Sequence, residues 1–166
     1  MQETKCTDAQ FPTMPFAALG YEIAHVGLNQ WNGVAIASRV GLENVEIGFD
    51  GQPEWQALVE ARAIGATCGG VRVWSLYVPN GRTLADPHYP YKLEWLAALA
   101  NNTQRWLAEH PDQPLALMGD FNIAPFDHDV WDMRVFEGAT HVSELEREAF
   151  RLFETIGLRD VVRPLV

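Results

Sequence analysis

The stretch Leu115-Ala116-Leu117-Met118-Gly119-Asp120-Phe121-Asn122 sets a carboxylate and an amide two residues apart, directly after a short apolar run. If the backbone stays extended there, alternate side chains leave the same face, and Asp120 and Asn122 offer oxygen to one point in space. Oxygen donors of this kind suit a hard cation such as Mg²⁺, which keeps several of its own waters. The same aspartate could instead take a proton from an attacking water. Asp and Asn are also ordinary turn residues, so a polar turn after a strand is the plain alternative. A second stretch, Ser75-Leu76-Tyr77-Val78-Pro79-Asn80-Gly81, likewise ends an apolar run in a polar turn. Tyr77 and Asn80 could donate hydrogen bonds to a phosphate oxygen, or be a core tyrosine and a turn asparagine. The third stretch, Gln2-Glu3-Thr4-Lys5, offers a single loop carboxylate, a setting in which glutamate is ordinarily solvated.

These residues need elements to hold them. Val34 to Ser38 follows Asn32-Gly33 and reads as a strand entered from a tight turn. Arg62 to Cys68 is a weaker strand, with Gly69-Gly70 as the turn after it. Val71 to Val78 is β-branched and aromatic, and Pro79-Asn80-Gly81 stops it. The period then changes. Leu93, Leu96, Ala97, Ala100 and Leu107 share a helical face, which predicts an amphipathic helix over about 90–109. Leu115 to Met118 reads as a buried strand that Gly119 breaks. Ser143 opens a second helix, with Glu146 placed for a capping box and Gly157 as the stop. Leu158 to Val162 reads as the start of another extended segment. Residues 1–20 read as a loop and short helix. Interleaved strands and helices imply a mixed α/β or α+β class.

The 166 residues suit one domain, and 48% apolar content with six Trp and eight Phe is enough for a packed core. Twelve basic and 22 acidic residues give a net charge of −10. A nonspecific coat on nucleic acid would need a basic excess, so any DNA contact must come from a local patch or a bound cation. Cys6 and Cys68 lack CxxC spacing and read as free thiols of a reducing cytoplasm. No apolar run is long enough to span a bilayer, and residues 1–5 carry no signal-peptide pattern.

Gln-Glu-Thr-Lys at 2–5, Trp-Asn-Gly-Val-Ala-Ile-Ala-Ser at 31–38, Tyr-Val-Pro-Asn-Gly at 77–81 and Gly-Asp-Phe-Asn-Ile-Ala-Pro at 119–125 occur in that order. In this order they resemble exodeoxyribonuclease III and its abasic-endonuclease relatives, within the endonuclease/exonuclease/phosphatase superfamily. The segment from His141 to Asp160 also looks like that family's helix and the strand after it. The resemblance implies a sandwich of two mixed β-sheets flanked by helices, and a Mg²⁺-dependent (or Mn²⁺-dependent) DNA-repair phosphodiesterase. Its substrates would be double-stranded DNA with abasic sites or 3′ ends. Glu3 would be a metal ligand, and Tyr77 would hold and polarise the scissile phosphate. Asp120 would orient or deprotonate water beside the metal. Asn122 would bond Asp120 or the phosphate, with a place at the metal. Asn80 and Arg82 would lie near the DNA backbone. Lys92 would touch phosphate, or be a solvated helix lysine.

The sequence also departs from that family. The family opens with a strand ending in an Asn that serves the metal site, and closes with a Ser-Asp-His motif. Neither is present here, and none of His25, His88, His110, His128 and His141 takes that histidine's role. Residues 1–166 are therefore expected to be a partial domain, truncated at both ends, with little nuclease activity by themselves. A phosphatase or phosphodiesterase acting on a non-DNA phosphoester is the rival within the superfamily. A non-catalytic fragment that binds DNA or a partner is the rival outside it.

Overall fold

The computed structural model describes residues 1–165. It contains α1 (Thr13–Ala18), β1 (Glu22–Val26), β2 (Val34–Ser38), β3 (Glu43–Ile47), β4 (Ala63–Cys68), β5 (Val71–Tyr77), α2 (His88–Glu109), β6 (Leu115–Asp120), α3 (Met133–Phe136) and α4 (Glu144–Ile156), with short 3-10 turns between them. The chain divides into two units. The first holds Met1–Val78 and Leu107–Phe121; the second holds Pro79–Trp106 and the described residues from Asn122 on. Among the described residues no helix is long and apolar enough to cross a membrane.

The first unit contains every strand of the described residues. β1 and β2 form an antiparallel pair, and the other sheet has the order β3-β4-β5-β6. β4 and β5 are a hairpin closed by Gly69 and Gly70, both at positive φ, as a two-residue hairpin turn requires. β6 joins β5 in parallel. Ala24 and Val26 of β1, Val34 and Ile36 of β2, Ile64 and Ala66 of β4 and Val73 of β5 share one apolar cluster with Ala61. The two sheets thus close on a common core, the layered arrangement expected when each sheet has one apolar face.

In the second unit α2 runs two residues earlier than the 90–109 periodicity indicates, with Pro90 in its first turn, where a missing N–H costs nothing. Trp95, Leu96 and Leu99 are fully buried on its apolar stripe. α4 begins as its sequence indicates. Ser143 is the N-cap, the Ser143–Glu146 capping box is formed, and Gly157 ends the helix at φ 120°.

Four sequence expectations are corrected. Gly119 does not break β6, which continues to Asp120. Leu158 to Val162 forms no strand, and a 3-10 turn at Arg163–Leu165 follows it. β1 and β3 are additional strands. β3, Glu-Asn-Val-Glu-Ile, is exposed along its whole length, so it lacks the alternation that would announce it. Finally, Asn122 has φ 52°, so the backbone after Asp120 is not extended and Asp120 and Asn122 do not project together by strand geometry.

Candidate active site

In the first unit the candidate residues Tyr77 and Asp120 are built on the ends of β5 and β6. Tyr77, the last residue of β5, is the register partner of Asp120, the last residue of β6. The Val78 amide donates to the Asp120 carbonyl at 2.9 Å, which extends the ladder one step beyond the strands. Gly119 makes this close pairing possible. A Cβ there would lie 1.9 Å from the Leu76 carbonyl oxygen, and its φ of 144° is one that side chains avoid. Register therefore delivers the phenol and the carboxylate to one end of the sheet.

Arg62 backs Tyr77. It is buried, its Nη1 donates to the Tyr77 carbonyl at 3.2 Å, and its guanidinium lies 4.9 Å from the tyrosine ring centroid. Its Nε donates to Glu60 at 2.7 Å, and Glu60 in turn accepts from the Asn32 side chain at 2.8 Å. This buried cation is thus paired and hydrogen-bonded, as burial demands.

Glu3 lies on a loop tied to the turn before β2. The Thr4 and Lys5 amides donate to the Gly33 and Asn32 carbonyls, and both Glu3 (φ 52°) and Lys5 (φ 51°) adopt the left-handed conformation. Such strain persists only where surroundings enforce it. Here Thr4 Oγ1 sits 2.9 Å from His25 Nε2, and His25 Nδ1 sits 2.9 Å from Asp8. Phe11 stacks on the imidazole. Burial pushes His25 below the ordinary imidazole value, against the opposing pull of Asp8. The neutral ring can accept from the Thr4 hydroxyl.

Charge is organised around the phenol. The Lys5 ammonium, 2.6 Å from Glu3, holds the Glu3 carboxyl below its ordinary value, and a Tyr77 hydrogen bond adds to this. Burial pushes the Tyr77 hydroxyl up. The Glu3 charge raises it further against the pull of Arg62, and Asp120 adds a smaller push. Tyr77 is therefore a neutral O–H donor beside the ionised Glu3 carboxylate. Among the described residues no three of His, Cys, Asp and Glu converge as a caged transition-metal site would need. Two carboxylates bearing on one phenol is an all-oxygen donor set. It fits a hard cation held by one or two carboxylates and water.

In the second unit the side chains of Asn80, Asn122 and His141 meet. Asn80 Nδ2 is 3.2 Å from Asn122 Oδ1 and 3.0 Å from His141 Nε2, and His141 Nε2 is 3.2 Å from Asn122 Oδ1. The Arg82 amide donates to Asn80 Oδ1 at 3.0 Å, an Asx turn that leaves the Arg82 side chain exposed. Lys92 requires a correction. It is fully buried, so it is neither a solvated lysine nor a side chain that reaches DNA. Its ammonium donates to Glu146 at 2.5 Å, to the Asn122 carbonyl at 2.5 Å and to the Asn80 carbonyl at 3.3 Å.

Glu3, Tyr77 and Asp120 thus belong to one unit, and Asn80, Arg82, Lys92 and Asn122 to the other. Three residues near these groups were not singled out from the sequence. Arg62 sits at the start of a weak strand and carries no local signal. His141 is two residues before a helix cap, and nothing in that position announces a contact with Asn80 or Asn122. Glu146 was legible as a capping residue but not as the partner of Lys92.

The model of the Endonuclease/Exonuclease/phosphatase family matches residues 1–160. An exodeoxyribonuclease of Bacillus subtilis (strain 168) is 29% identical over 168 residues, covering 98% of this chain and 62% of the relative. A Neisseria 3′ phosphatase solved with a product DNA hairpin is 35% identical with a TM-score of 0.89, covering 98% of this chain and 62% of that one. An AP endonuclease from Archaeoglobus fulgidus is 33% identical with a TM-score of 0.89, covering 99% and 62%. The chain therefore spans 62% of the length of each of these relatives. Two packed sheets in a mixed α/β chain and a family match over residues 1–160 agree: the chain belongs to the endonuclease/exonuclease/phosphatase family.

Proposed function

We propose that this chain carries part of the catalytic site of a Mg²⁺-dependent DNA-repair phosphodiesterase of the exodeoxyribonuclease III type, acting at abasic sites or 3′ ends. The observation that carries this is the Tyr77 hydroxyl, kept protonated by burial and by the Glu3 charge, in register with Asp120. A neutral phenol can donate to a phosphate oxygen without adding negative charge, and a fixed donor stabilises charge as it develops. Asp120 orients or deprotonates the attacking water. The Asn80 and Asn122 side chains offer further neutral dipoles, and Arg82 an exposed cation for the DNA backbone. Glu3 and Asp120 are the residues to hold the cation, Mg²⁺ or Mn²⁺, which when bound supplies Lewis-acid polarisation of the phosphate. It would also offset the −10 charge that otherwise opposes DNA. An abasic nucleotide is the cheaper one to extrude, since it has lost its stacking and pairing. Free Cys6 and Cys68 fit a cytoplasmic protein.

The 166 residues lack the Ser-Asp-His that the resemblance assigns to catalysis, and members of one constellation are strongly non-additive. Binding is therefore expected to exceed turnover for these residues by themselves. The test compares duplexes bearing an abasic site, a recessed 3′ end or a 3′-phosphate with an inositol phosphate and a small nucleotide phosphodiester, in Mg²⁺ and in chelator. Chelator-sensitive preference for DNA supports the proposal. Preferential hydrolysis of the inositol phosphate replaces it with the non-DNA branch of the family. Salt-dependent DNA binding indifferent to metal replaces it with a non-catalytic binding role.

A further inference from the structure

The second unit contains a buried ion pair that the chemistry above does not use. Glu146 and Lys92 are fully buried. Glu146 Oε1 accepts from Lys92 at 2.5 Å, from Thr140 Oγ1 at 2.6 Å and from the His141 amide at 2.9 Å. Its Oε2 accepts from the Ser143 hydroxyl at 2.6 Å and the Ser143 amide at 3.2 Å. One carboxylate thus closes the capping box of α4 and also anchors the loop that carries His141. Lys92 spends two further donors on the backbone carbonyls of Asn80 and Asn122, the two residues whose side chains meet at the surface. Thr140 Oγ1 is also 3.1 Å from the Asn80 carbonyl. The Asn80-Gly81 turn lies so close over this pair that a Cβ on Gly81 would sit 2.7 Å from Thr140 Oγ1 and 3.2 Å from Lys92 Cδ.

Burying two charges is expensive, and a well-packed apolar pair would often serve stability as well or better. What an apolar pair cannot do is bind backbone carbonyls from two loops and a backbone amide from a third. We propose that Lys92 and Glu146 are positioning residues, a buried clamp that sets the Asn80, Asn122 and His141 loops so that the Asn80 and Asn122 amides present fixed dipoles to substrate. This rests on the reading of Asn80 and Asn122 as site residues.

The test is the double variant Lys92→Met/Glu146→Gln, beside Lys92→Arg and the benchmark Asn122→Ala. Gln keeps the capping box, and Met fills the lysine stem volume, so the fold has no unpaired buried charge. The first readout needs no DNA: the Asn80 side-chain amide and His141 imidazole resonances, in a protein checked by a cooperative melt. The expected result is loss of the shifted Asn80 amide signature in the double variant and its partial retention in Lys92→Arg. The second readout is turnover of DNA by the protein. kcat is expected to fall about 10²-fold with KM nearly unchanged, the scale of a misplaced positioning group, and to match Asn122→Ala. Unchanged Asn80 and His141 resonances, or kcat equal to the parent's, overturns the clamp. If the parent itself turns over no DNA, as the missing Ser-Asp-His leads one to expect, the resonances alone decide the clamp, and the nuclease reading is decided separately by metal-dependent binding of DNA. Should the double variant not fold, Lys92→Arg carries the same two readouts.

Discussion

The two units solve the same problem with opposite means. In the first, the residues with chemical reach are charged and lie at the edge of solvent: Glu3 and Lys5 are 40% and 54% exposed in their side chains, and Tyr77 and Asp120 are half-buried at strand ends. Sheet register and one close glycine place them, so little more is needed. In the second, the Asn80 and Asn122 side-chain amides carry no charge and sit with His141 on loops, and a Lys92–Glu146 ion pair with no exposure lies behind them. Loops lack a ladder to fix them, and here the fixing is done by a buried ion pair that binds their backbone. The comparison teaches that charge at the surface of a site can be held cheaply, whereas neutral dipoles on loops need rigid backing.

The sharpest way to break this comparison is to remove the cation from each pair. Lys92→Met strands a buried carboxylate and is expected to cost about 3–5 kcal/mol. Lys5→Met removes a partly exposed partner and is expected to cost no more than about 1 kcal/mol. Denaturant unfolding measures both, and equal costs would erase the distinction. Next in size is Gly119→Ala, which must shift the β5–β6 pairing and adopt a disfavoured φ. It is expected to destabilise by more than about 1 kcal/mol and to weaken any Tyr77-dependent activity, whereas an alanine that melts with the parent would show the register to be tolerant. Ser143→Ala should cost about 1 kcal/mol through the lost cap, read by the same method.

Acid sharpens the same contrast. Burial pushes the Glu146 carboxyl up, but hydrogen bonds from Lys92, Ser143, Thr140 and the His141 amide outweigh it and hold it below the ordinary value. A depressed carboxylate contributes stability that is complete above the unfolded-state value and is lost as pH falls through the folded-state value. Unfolding free energy is therefore expected to fall on acidification below the ordinary glutamate range, with the acid-dependent part much reduced in Lys92→Met/Glu146→Gln. An identical acid profile in that variant would assign the loss to other carboxylates.

What could be read in the sequence was local. Ser143, Glu146 and Gly157 mark α4 because caps are decided within a few residues, and the apolar run of β5 marks itself by β-branching. β3 escaped because an exposed edge strand has no apolar face to reveal. Tyr77 and Asp120 stand out as polar residues ending apolar runs, and the resemblance gives them roles, but their register is a property of β5–β6 pairing across 42 intervening residues and cannot be read from either segment. The same holds for Lys92 and Glu146, 54 positions apart, whose spacing carries no periodic signal. Lys92 on a helix was open to a phosphate role only while its burial was unknown. Asn122 is a milder case: the two-residue spacing from Asp120 holds for a strand, and the strand ends at Asp120.

The most direct measurement is the affinity for a labelled duplex with one abasic site, with and without Mg²⁺, for the parent, Glu3→Gln and Asp120→Asn. If these two carboxylates hold a cation that engages the phosphate, Mg²⁺ should tighten binding by about tenfold or more in the parent, at least about 1.4 kcal/mol, and have almost no effect in either variant. The same Mg²⁺ response in all three proteins, or none in any of them, would contradict a metal-dependent DNA site built on Glu3 and Asp120.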